Sequence, residues 1–129
     1  MLTITLPFPP SVNHYWRHFV MGRSARSLIS KPGRRYTAVV EREVHRQKAA
    51  LGIKGHVSVS VLLHPPDRRR RDVDNYCKSL LDAMVKAGVM EDDSQVRDLR
   101  LSWGPVAPGG VAVVEIRELP IAEQGRLEE

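Results

Sequence analysis

The stretch HVSVSVLLHPPDRRRRDVDNYCKSLLDAMVKAG, from His56 to Gly88, changes its hydrophobic period part-way along, and that change decides the fold class. Val57, Val59 and Val61 alternate with serine, the two-residue repeat of a strand with one buried face, and the strand is expected over His56 to Leu63. Pro65 and Pro66 break it, because neither has an N–H for a sheet ladder. From Asp72 to Ala87 the spacing becomes helical: Val73, Cys77, Leu80, Leu81 and Met84 fall on one face. Gly88 follows where a helix ends on a left-handed residue.

Outward from that unit the chain is less regular. Leu2 to Leu6 alternate Leu, Thr, Ile, Thr, Leu, a second half-buried strand, which Pro7 to Pro10 (PFPP) ends. Ser11 to Arg35 is basic, holds no acidic residue and interleaves Tyr15, Trp16 and Phe19 with its charge. Its pattern leaves room for short strands but fixes none. Tyr36 to Leu51 reads as a helix with Val39, Val40, Val44 and Leu51 on the core side, ended by Gly52 or Gly55. After the acidic turn VMEDDSQ, the alternating Leu99, Leu101 and Trp103 are expected to pair with Val111 to Arg117 as a hairpin across PVAPGG. The order predicts an α+β (mixed α/β) fold: one compact domain over residues 1–120, with two main helices on a mixed sheet, and a polar tail over 121–129.

With 129 residues, 42% hydrophobic and 27% charged, the chain can bury a modest core. A net charge of +5 favours an anionic partner such as nucleic acid. The single cysteine, Cys77, excludes an internal disulfide and a cysteine-rich zinc site. The N-terminus lacks a signal-peptide pattern and no apolar run is long enough to span a bilayer, so a cytoplasmic protein with no membrane partner is expected.

Charge is concentrated between Asp67 and Asp93. Arg68, Arg69, Arg70 and Arg71 run directly into Asp72 and Asp74, and Asp92 and Asp93 follow about a helix-length later. On an ideal helix Asp72 and Asp74 would point about 160° apart, since each residue turns about 100°. They can act together only if Asp72 precedes the helix in extended or capping geometry. Lys78 stands one turn beyond Asp74. A reversal after Gly88 would return Asp92 and Asp93 towards the same place. Carboxylates with a nearby lysine suit Mg²⁺ and phosphate chemistry, and the arginines suit phosphate binding without sequence readout. Each feature also has a structural reading: helix capping for Asp72 or Asp74, plain turn residues for Asp92 and Asp93, a solvated face or partial pairing with Asp67 and Asp72 for the arginines, a surface position for Lys78, and core for Tyr15 and Trp16. A calcium loop is excluded because Tyr76 takes its fifth position and no glycine its sixth. The histidines show no zinc-type spacing with cysteine.

DRRRRDVDNYCKSLLDAMVKAGVMEDDSQV closely resembles the signature of RusA-type crossover junction endodeoxyribonucleases, common in prophages, and ITLPFPPSVNHYWRH (Ile4 to His18) resembles that family's N-terminal motif. The resemblance implies a small homodimeric Holliday junction resolvase of recombination and repair. It would depend on Mg²⁺, with Mn²⁺ as an alternative, and on no other small-molecule cofactor. It would cut two strands of branched DNA symmetrically. By position it makes Asp72, Asp74 and Asp93 catalytic and metal-binding, with Asp92 the alternative third ligand and Lys78 the basic partner. Asn13, Tyr15 and Arg17 fall on the N-terminal motif and are counted with Arg68 to Arg71 and Lys86 as DNA-binding residues. A non-catalytic structure-selective DNA-binding protein, and a metal nuclease acting on flaps, are the rival expectations.

Overall fold

A computed structural model describes residues 1–21 and 24–120; for 13, 14 and 16–28 within that range the backbone alone is described. The polar tail expected over 121–129 lies outside the described residues. The elements are β1 (Leu2–Pro7), α1 (Val12–Tyr15), β2 (Trp16–Met21), β3 (Ser24–Ile29), α2 (Lys31–Arg46), β4 (Val57–His64), α3 (Cys77–Lys86), β5 (Val96–Trp103) and β6 (Val111–Glu118). Short 3-10 turns at Val73–Tyr76 and Asp93–Gln95 precede α3 and β5.

The main sheet has the order β1-β6-β4-β5, in which β4 and β5 run parallel and the other neighbours antiparallel. The mixed α+β class with two main helices holds, but the hairpin expected between β5 and β6 does not form. β4 lies between them, pairing Val61 with Leu101 on one side and Val114 on the other. Such insertion is a long-range choice that period-2 alternation does not encode. Val57, Val59, Val61 and Leu63 of β4 are buried on one face with Ile4, Leu6, Ala112, Val114 and Ile116. Tyr36, Val40 and Val44 of α2 and Leu80 and Met84 of α3 close over them in the same cluster. Each such side chain contributes about 1.5–3 kcal/mol through burial.

The basic segment that assigned no element contains a two-stranded ribbon, β2 with β3, and then the first turn of α2. That helix begins earlier than its apolar pattern suggests because Ser30 caps it, its hydroxyl accepting from the Gly33 N–H at 3.1 Å, with a proline in the first turn. It also ends earlier. Lys48 takes a left-handed φ of 58°, and the Ala49 N–H returns to the Val44 carbonyl, so no glycine is needed and Leu51 is left exposed. Beyond the helix, Gln47 bonds both the N–H and the carbonyl of Thr5 and so covers the outer edge of β1.

Gly88 does terminate α3, with φ 88°; its N–H reaches the Val85 carbonyl and the Val89 N–H that of Met84. The following chain is stitched to 52–55 through Gly52 to Gly88 and Ile53 to Val89 backbone bonds. This seam turns the acidic segment back against α3.

Candidate active site

The loop after β4 is organised by Asp67. Its carboxylate accepts from the Arg69 backbone N–H at 2.9 Å and from Arg71 Nη1 at 2.8 Å, and Arg69 Nη2 lies 3.3 Å away. These partners, Arg71 foremost, hold the Asp67 carboxyl down to about 2. Arg71 is therefore a scaffold residue: its side chain is only 10% exposed, and its guanidinium lies 5.7 Å from the centre of the Phe8 ring. Arg68, Arg69 and Arg70 are exposed. Of the two partners expected for the arginine run, Asp67 is paired and Asp72, among the described residues, is not.

The loop then delivers two carboxylates. Asp72 has extended backbone (φ −89°, ψ 124°) and stands immediately before the 3-10 turn, whose first residues include Asp74. The helical run expected from Asp72 is thereby divided, with 3-10 geometry over Val73–Tyr76 and α-helix from Cys77. The extended Asp72 meets the geometric condition for joining Asp74. Both are exposed, and among the described residues neither carboxylate makes a hydrogen bond or ion pair. Lys78 lies one turn on, 57% exposed, with its Nζ 3.7 Å from Asp82 Oδ2. That buried oxygen accepts no hydrogen bond.

The second acidic pair divides in two. Asp92, also extended, closes a capping box: its N–H donates to Gln95 Oε1 at 2.8 Å, and the Ser94 hydroxyl donates to its carboxylate. Gln95 in turn donates to the Ile53 and Gly55 carbonyls, at 2.7 and 2.8 Å. The Asp93 carboxylate makes no hydrogen bond or ion pair among the described residues. Its charge reaches Cys77, whose thiol is pushed up first by burial and then by Asp93, while Lys78 acts in the opposite sense. Asp93 and Lys78 thus both act on the thiol at the start of α3. Among the described residues, however, no three His, Cys, Asp or Glu side chains stand close enough to hold a metal ion as a closed set.

Several expected DNA contacts fall differently. Tyr15 is a correction: it is fully buried, and its hydroxyl shares a hydrogen bond of 3.1 Å with Thr37, so it serves the core. Lys86 is exposed, with its ammonium 5.9 Å from the Tyr15 ring centre. Asn13 lies on α1 and Arg17 on β2, and their side chains lie outside those described. One feature was not read from the sequence: Phe8, Tyr76 and Trp103 meet beside the arginine loop, from positions too far apart for any periodicity to link.

A profile of the family described as Endodeoxyribonuclease RusA matches residues 7–117, which include the arginine loop and both acidic pairs. This chain belongs to the RusA endodeoxyribonuclease family. Among its RusA relatives, the crossover junction endodeoxyribonuclease of Enterobacteria phage HK97 is 40% identical over 114 residues, covering 88% of this chain and 92% of that one. Those of Shigella sonnei (strain Ss046) and Escherichia coli (strain K12) are 41% and 40% identical over 117 residues, covering 91% of this chain and 94% of each relative. No helix among the described residues is long and apolar enough to cross a membrane.

Proposed function

We propose that this protein resolves four-way DNA junctions, hydrolysing phosphodiesters at two symmetry-related places as a step of recombination and repair. The observation that carries the reading is the pair Asp72 and Asp74: exposed carboxylates without hydrogen bond or ion pair among the described residues, beside outward arginines. The reading draws its substrate from the RusA relatives, whose names specify crossover junctions.

The donors suit Mg²⁺, a hard cation that is usually held by one or two carboxylates and completes its shell with water and substrate phosphate. An open pair therefore suffices, and Asp72 and Asp74 would hold it, with Asp93 the third acidic group. Asp93 is preferred to Asp92 because the Ser94 hydroxyl already bonds the Asp92 carboxylate. When bound, such an ion polarises the phosphoryl oxygen. Lys78, 57% exposed and in a 3.7 Å ion pair with Asp82, can turn to meet charge developing on the phosphate. Arg68, Arg69 and Arg70 bind flanking phosphates and carry no sequence information. A homodimer completes the proposal, because two related incisions call for two sites and a C2 pair matches the symmetry of a four-way junction.

The test is to incubate the purified protein with an immobile four-way junction, a flap and a linear duplex, in Mg²⁺ or EDTA. Paired, ligatable nicks on the junction alone, in Mg²⁺ alone, are expected. Equal nicking of the flap, or binding of the junction without nicks, would overturn the proposal.

A further inference from the structure

We infer that Trp103, backed by Phe8 and Tyr76, is a stacking platform for one unpaired base of the strand that enters the active site. The inference rests on the junction-cutting reading above and names how that site would tell a branch from a duplex.

Trp103 is 38% exposed, although aromatic side chains of this size are seldom left so open beside a packed core. Its position is nevertheless fixed. The Phe8 ring lies nearly parallel to it, 20° between planes and 6.2 Å between centroids, while Tyr76 meets it edge-on at 5.9 Å. The chain that follows is pinned as well. The Gly104 N–H donates to the Leu63 carbonyl at 2.8 Å, and the His64 ring bonds Pro105 O at 2.9 Å. A Cβ on residue 104 would come within 2.6 Å of that His64 ring, so glycine permits the close approach. The aromatic surface is ordered before any ligand arrives, which lowers the entropic cost of binding to it.

The chemistry around Trp103 selects the occupant. Trp103 and Val106 share a cleft of about 190 Å³ with Pro65, Arg68, Arg69 and Arg71. That is below the roughly 300–1,000 Å³ of clefts for drug-sized ligands, and it suits a single flat ring system. Asp67, which also lines the cleft, is paired with Arg71 and Arg69, and the exposed Arg68 beside them makes no ion pair among the described residues, so the cleft keeps net positive charge. A nucleotide supplies a flat base for the indole and a phosphate for the arginines. An apolar peptide would leave that charge unanswered. Asp72 follows Arg71 directly in the chain, so the loop that lines the cleft is the one that carries the carboxylates. In an intact duplex the base faces are buried in the stack; at a branch point they can be opened at lower cost.

The experiment measures binding in EDTA, without cutting, by fluorescence anisotropy with an immobile junction and a linear duplex of equal length. Wild type, Trp103→Ala and Trp103→Phe are compared, and their folding is checked by circular dichroism. Trp103→Ala should lose about 5- to 150-fold in junction affinity, the scale of one base–aromatic stack, with duplex affinity unchanged. Trp103→Phe, which keeps a ring against Phe8, should recover most of the loss. With 2-aminopurine at the branch, its emission when bound should differ between wild type and Trp103→Ala. Unchanged junction affinity in Trp103→Ala would overturn the inference. So would an equal loss on junction and duplex, or a change of oligomeric state on a sizing column, which would make the patch a protein–protein surface. If wild type itself does not prefer the junction, it is the junction-cutting reading that fails.

Discussion

Asp72 and Asp92 occupy the same kind of position, each in extended backbone directly ahead of a 3-10 turn that contains a second aspartate. At the second turn Gln95 stands third and reaches back to the Asp92 N–H, while Ser94 bonds the Asp92 carboxylate. At the first turn the third residue is Asn75, one methylene shorter, and only its backbone N–H returns, to the Asp72 carbonyl at 3.1 Å. A carboxylate ahead of a turn is ordinarily consumed by capping, which satisfies orphan N–H groups. Asp92 is used in that way; Asp72 is left open to solvent with Asp74. The same local design thus holds a loop in one place and presents charge in the other.

That contrast can be broken most sharply by isosteric neutralisation. Asp72→Asn or Asp74→Asn should slow junction cutting by at least about 10²–10³-fold, the scale of losing a group aimed at developing charge. Junction binding should be unchanged or tighter, because repulsion of phosphate is relieved; cutting assays and anisotropy read the two effects separately. Asp92→Ala should do the reverse. It should cost about 0.5–2 kcal/mol in urea unfolding, as lost caps do, and spare cutting to within a few-fold.

Two smaller effects test the surroundings. Asp93 and burial both raise the Cys77 thiol, so Asp93→Asn should lower its pKa and speed alkylation of this sole cysteine below that pKa. An unchanged alkylation–pH profile would remove Asp93 from the start of α3. The least effect is expected at Asp67, whose folded pKa is depressed from 3.8 to about 2. A depressed carboxylate stabilises the fold above its unfolded pKa and loses that contribution as pH falls through the folded one. The stability difference between wild type and Asp67→Asn should therefore be full at neutral pH, shrink as pH falls from about 5 through 2, and vanish below that. The ion pairs are partly solvated, so the difference will be small.

What could be read in the sequence follows from the range of the interactions involved. β1, β4, α3 and the Gly88 cap are written in local periodicity and turn chemistry. So is the requirement that Asp72 be extended. The start of α2 was also written locally, in Ser30 and Pro32, but the apolar pattern from Tyr36 onward drew the boundary too late. The insertion of β4 between β5 and β6 depends on pairings across the whole chain. So does the meeting of Phe8, Tyr76 and Trp103, and neither has a signature in any short window. The division of labour between Asp92 and Asp93 turned on Gln95 and Ser94, whose side-chain directions only the folded turn reveals.

The most direct measurement is single-turnover cutting of one immobile junction in Mg²⁺ by Asp74→Asn and Asp92→Asn, side by side at saturating protein. Asp74→Asn should bind the junction and leave it essentially uncut, while Asp92→Asn, though less stable, should cut at nearly the wild-type rate. Cutting at the wild-type rate by Asp74→Asn, or a folded Asp92→Asn as inactive as Asp74→Asn is expected to be, would contradict the account.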